Sequence, residues 1–152
     1  MDLFFGQLGL ALSLGLGALG SALGIGAAGR AAAGAWAKEA KAGKPLNFSY
    51  IILTGMPLTQ TIYGFILMLS LRPKVYDPTI LARSTGAILA IGIAGGLAEL
   101  FSAWVQGLIG AAGCRALSES EGKGLVFIII AMGIAETVGL FGFVFLLLVL
   151  PS

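Results

Sequence analysis

The stretch from Gly124 to Leu150 carries one formal charge, Glu136, near the middle of a run rich in Ile, Leu, Val and Phe. As a helix rising ~1.5 Å per residue, that run is long enough to cross a hydrocarbon core of ~30 Å. A charge at the centre of a bilayer costs ~2.5 to 3.5 kcal/mol on insertion scales, so an acid there is expected to be functional and to have partners. The rest of the chain makes sense around this carboxylate.

Composition defines the solvent. Of 152 residues 58% are hydrophobic, 11% are charged and none is His, and the mean hydropathy is +1.01. The outside of such a chain is as apolar as its inside, which describes an integral membrane protein. A net charge of +2 with scattered basic residues excludes a nucleic-acid surface. The single cysteine, Cys114, permits no internal disulfide, matches no metal spacing and reads as a small packing residue.

Four spans exhaust the sequence. Helix 1 is expected over residues 3–37, uncharged except for Arg30 and studded with glycines such as Gly20 and Gly24, a spacing that lets helices approach closely in lipid. No basic segment precedes it, so it does not read as a signal peptide. Ala37 to Asn47 is a short basic loop. Helix 2, over 48–71, contains Pro57, which frees the carbonyl of Leu53 and predicts a kink near mid-membrane. Arg72 to Thr79, with two prolines, reads as a turn; helix 3 follows over 80–116 with the glycine pattern of helix 1. Leu117 to Lys123 is a third short loop, and helix 4 covers 124–150.

The halves repeat. Gly26-Ala27-Ala28-Gly29 recurs as Gly110-Ala111-Ala112-Gly113, and setting Gln60 on Glu136 places Met56 on Met132, Thr61 on Thr137 and Phe65 on Phe141. The chain is therefore expected to be all-α, a duplicated helical hairpin with units 1–75 and 76–152, in which the second copy has a carboxylate where the first has an amide. Arg30, Lys38, Lys41, Lys44, Arg115 and Lys123 flank loops one and three, against Arg72, Lys74 and Arg83 at loop two. That bias puts loops one and three in the cytoplasm and both termini outside.

Met56, Thr59, Gln60 and Tyr63 share one stripe of helix 2, and helix 3 has one amide, Gln106, at a depth close to that of Glu136. Thr59, Gln60, Gln106 and Glu136 can thus present oxygens to one point. One carboxylate with neutral amide, hydroxyl and carbonyl oxygens suits a hard monovalent cation, and sodium fits that description. A proton needs only the carboxyl group and gives no reason for the two glutamines and the threonine. The bland alternative is interhelical glue, worth ~0.6 to 2 kcal/mol per bond.

The segments Met56-Pro57-Leu58-Thr59-Gln60-Thr61-Ile62-Tyr63-Gly64-Phe65, Gln106-Gly107 and Ala135-Glu136-Thr137 resemble the four-helix membrane rotor subunit, the proteolipid or K subunit, of V/A-type rotary ATPases. The likeness covers the whole chain and is nearest to the sodium-transporting bacterial members. It implies that Glu136 is the charged ligand for Na+, with H+ as the alternative. Gln60, Gln106 and Thr59 would give side-chain oxygens, the Met56 main-chain carbonyl would complete the shell, and Tyr63 would steady the glutamate. It also implies a closed ring of identical copies in lipid, a stator membrane protein with an arginine, a central-stalk partner at the cytoplasmic loops, and no organic cofactor or catalytic chemistry on this chain. Ion movement would couple to rotation and to ATP hydrolysis or synthesis. The family commonly has Leu where this chain has Met56.

Glu99 departs from the pattern. It lies seven residues before Gln106, on nearly the same face, ~10.5 Å towards the outer side. It reads either as a second ion-linked carboxylate or as a neutral packing acid. Two competing classes are a stand-alone duplicated-hairpin transporter and an inert assembly proteolipid. A pore distributes polar residues along one face, whereas here they gather at one depth.

Overall fold

The computed structural model describes all residues 1–152. Four long helices run α1 Asp2–Lys41, α2 Ser49–Tyr76, α3 Pro78–Glu119 and α4 Leu125–Leu148, and each is long and apolar enough to cross a membrane. The all-α, four-span expectation holds. α1, α2 and α3 run several residues past the expected ends, while α4 stops two residues short of Leu150.

The expected turn over Arg72 to Thr79 is the main correction. α2 continues through Pro73 to Tyr76, α3 begins at Pro78, and Asp77 alone is left between them. Two physical features explain the economy. Pro78 occupies the first helical turn, where its missing N–H has no intrahelical partner to lose. Asp77 caps that turn, its Oδ1 accepting from the amides of Thr79 at 2.8 Å and Ile80 at 3.1 Å.

Pro57 also acts more gently than a sharp break. Met56–Leu58 form one 3-10 turn between the α-helical stretches Ser49–Gly55 and Thr59–Tyr76. The backbone keeps right-handed angles through it, with φ −81° at Gly55 and −53° at Met56. The Leu53 carbonyl faces Gly110 of α3, where a Cβ would lie 2.9 Å from it.

α1 and α3 form the most extensive packing in the molecule, lying parallel and backbone to backbone. A Cβ on Gly92 would collide with the main chain of Gly9, and one on Gly107 with that of Gly24. Small residues at these positions are what let the two helices meet. The hairpins are therefore interleaved and share one interior.

Two apolar clusters sit at opposite ends of the bundle. One joins Ala32, Ala35, Tyr50, Leu53, Cys114, Leu117 and Met132 near loops one and three. The other joins Leu67, Leu71, Val75, Ile88, Ile91 and Phe143 near the connection at Asp77. Loops one and three are tied together by the Lys44–Glu121 ion pair at 2.8 Å. Glu39 organises the first loop: its carboxylate accepts from Tyr50 Oη at 2.5 Å and from the Asn47 amide at 2.9 Å. Cys114 is fully buried, with Sγ 4.0 Å from the Ala28 carbonyl.

The repeat is not repeated in its surroundings. Gly110 and Gly113 pack against Leu53, Met132 and Ile128, whereas Gly26 has nothing within 4 Å and Gly29 touches only Thr54. α3 lies between α2 and α4, while the corresponding face of α1 is open.

Candidate ion-binding site

Between the two apolar clusters lies a band of polar side chains drawn from α2, α3 and α4. Glu136 projects from the middle of α4 and is half-buried. Its Oε1 accepts from Tyr63 Oη at 3.2 Å and its Oε2 from Gln106 Nε2 at 3.1 Å. The same Gln106 nitrogen donates to the Met132 carbonyl at 3.1 Å, which fixes the amide plane against α4.

The network continues inward. Gln60 Nε2 donates to Gln106 Oε1 at 3.1 Å and to Ser102 Oγ at 3.1 Å, and both glutamines are fully buried. Thr59 Oγ1 lies 3.1 Å from Gln60 Oε1 and 3.2 Å from the Met56 carbonyl. Thr59, Gln60, Gln106, Glu136 and Tyr63 therefore form one connected chain, and the Met56 carbonyl joins it at the 3-10 turn. Tyr63 is braced by stacking on Phe143, with centroids 5.6 Å apart. Of these groups Glu136 alone carries a formal charge, and both of its bonds come from neutral donors.

Sequence reasoning missed Ser102. It accepts from Gln60 and donates to the Ala135 carbonyl at 2.9 Å, so it links α2 to α4 beside the carboxylate. A signal existed, because Ser102 lies four residues before Gln106 and three after Glu99, on one helical face. Glu99 itself is 1% exposed and stays outside the network.

A chain of four apolar helices, with one half-buried carboxylate gripped by neutral amide and hydroxyl groups at mid-helix, is a multi-pass membrane proteolipid. The chain belongs to the family of ATP synthase C subunits: the model of that family matches residues 8–71 and 89–149, one segment in each hairpin. The A-type ATP synthase subunit K of Methanocaldococcus jannaschii is 34% identical over 152 residues, covering 97% of this chain. The chain spans 62% of that relative's length.

Proposed function

We propose that the chain is the ion-carrying rotor subunit of an A/V-type ATP synthase or ATPase, forming a ring of identical copies and holding Na+ at Glu136. The observation that carries this reading is the convergence of Gln106 and Tyr63 on Glu136, with Gln60 and Thr59 linked behind them. Sodium is bound as cargo. Its shell would draw on the Glu136 carboxylate, the side-chain oxygens of Gln60, Gln106 and Thr59, and the Met56 carbonyl, while Tyr63 orients the carboxylate.

Sodium is favoured over the proton by the donor set. Linked to Glu136 are the amides of Gln106 and Gln60 and the hydroxyl of Thr59, more neutral polar groups than a proton on one carboxyl requires. Neutral oxygens held on two separate helices, α2 and α3, then have a use: they replace the water that a hard cation loses on entering the membrane.

Rotation follows from the cost of charge. With Na+ bound, Glu136 is neutral enough to travel past lipid; without it, the carboxylate is stable only beside water or a counter-charge, which a stator arginine would supply. Loops one and three, pinned by Lys44 and Glu121, form the cytoplasmic face that meets the central stalk. Both termini lie on the opposite side.

The deciding experiment is ATP hydrolysis by the purified complex at fixed pH with sodium varied. Activity should rise with sodium and saturate. Activity indifferent to sodium across neutral and alkaline pH would instead identify a proton-coupled ring.

A further inference from the structure

Two main-chain carbonyls of α4 can only accept hydrogen bonds, and they set the direction of the polar network. The Met132 carbonyl lies 3.1 Å from the Gln106 amide, so the atom facing it must be Nε2. The Ala135 carbonyl lies 2.9 Å from Ser102 Oγ, so the serine hydrogen is spent there and its oxygen is left to accept.

Gln60 meets both results. Its Nε2 has two hydrogens, of which one goes to Ser102 Oγ at 3.1 Å and the other to Gln106 Oε1 at 3.1 Å. Its Oε1 is thereby turned to Thr59 Oγ1, 3.1 Å away. This orientation has to be imposed from outside, because the last torsion of a glutamine is broad and roughly two-fold.

The two partners of Nε2 differ in what the ion does to them. Gln106 is itself among the groups that would give an oxygen to sodium, and an oxygen turned to a cation accepts less well from Gln60. Ser102 has no such second duty. It is buried on α3 with its hydroxyl pressed to α4, where a Cβ on Gly139 would lie 2.8 Å from Oγ. Glycine at 139 is what admits the serine.

We propose that Ser102 is a positioning residue of the ion site: it holds Gln60 with Oε1 towards Thr59 and the ion, and so sets sodium affinity without touching sodium. The proposal rests on the reading of Glu136 as a sodium site. It separates the two ions that compete there, because a proton needs the carboxyl alone whereas a hard cation needs the Gln60 oxygen as well.

Carbodiimide modification of Glu136 in the purified assembly, mapped by mass spectrometry, reads both ions. The pH midpoint without sodium reports the proton, and protection by sodium at fixed pH reports the cation. Ser102→Ala should raise the protecting sodium concentration about 3- to 30-fold, the worth of one intramembrane bond, and leave the pH midpoint where it is. Ser102→Cys, close to serine in shape but a weak donor and acceptor, should do the same and serves if the alanine variant fails to assemble. In a Gln60→Leu background Ser102→Ala should add nothing, because the group it positions is gone. Three results overturn the positioning role and leave the sodium site standing: a further rise of the same size in that background, an unmoved sodium midpoint in both serine variants, or a pH midpoint that moves with the sodium midpoint. No sodium protection in wild type overturns the sodium reading itself, and this proposal with it.

Discussion

Replacing Gln106 with Leu tests the site at its most connected residue. Leu keeps a similar volume at a fully buried position on α3, so packing changes little. What disappears is the 3.1 Å bond to Glu136 Oε2, the 3.1 Å bond to the Met132 carbonyl and the acceptor for Gln60 Nε2. Gln60 still reaches Ser102, and Glu136 still has Tyr63, so neither is stripped bare. A hydrogen bond to a charged group is worth ~1.5 to 3 kcal/mol, which corresponds to an affinity loss of about 10- to 150-fold. The same range applies if the amide contributes its oxygen to the ion. The assay is carbodiimide modification of Glu136, mapped by mass spectrometry, with sodium as the protecting ligand. Because proton and sodium compete for one carboxylate, the protecting sodium concentration should rise as pH falls in wild type, and Gln106→Leu should displace that whole curve upward. A protection midpoint within twofold of wild type would remove α3 from the site and refute the proposed convergence.

Tyr63→Phe keeps the stacking on Phe143 but removes the 3.2 Å bond to Glu136; the sodium midpoint should rise about 3- to 30-fold, from ~0.6 to 2 kcal/mol for an intramembrane bond. Gly107→Ala drives a methyl group into the Gly24 backbone and should lower the thermal midpoint of the assembly sharply, whereas Gly86→Ala, with nothing within 4 Å, should leave it unchanged. Lys41→Cys should react with an impermeant maleimide from the cytoplasmic side only; Cys114 is fully buried and should stay silent, and labelling from outside would invert the topology. The Lys44–Glu121 link should be flat across neutral pH. Lys44, hydrogen-bonded to Glu121, is held above its usual range, and Glu121, bonded to Lys44, below its own. The link is therefore lost only as pH falls through the lowered carboxyl pKa or rises through the raised ammonium pKa, which carboxyl chemical shifts in NMR would follow.

Much of the site could be read from the sequence because its residues are costly in lipid. A glutamate, two glutamines and a threonine at one depth have few bland explanations, and the structure joins them in one network. Ser102 escaped because hydroxyl groups in membrane helices commonly bond their own preceding turn, as Thr54 does to Tyr50, Ser70 to Ile66 and Thr137 to Gly133. Nothing local marks the serine that bonds across helices instead. The prolines at 73 and 78 misled for a related reason. Pro78 sits in the first turn of α3, where its amide would have no helical partner, and Pro73 sits in the last turn of α2, where it leaves only the Leu69 carbonyl without its helical donor. Glycine content showed that helices 1 and 3 pack closely, but which glycines meet depends on the register of two helices distant in sequence.

The backbone contact of α1 with α3 has a mechanical consequence. Where Gly9 meets Gly92 and Gly24 meets Gly107, no rotatable side chain lies between the helices, so the joint has almost no soft degrees of freedom. A load applied to α4 would pass through α3 into a nearly inelastic pair before reaching the loops. α4 has few buried residues, and several of its large side chains face outward. Compliance is therefore concentrated in the outward-facing side chains of α4, and the paired glycine-rich helices form the stiff element of the bundle.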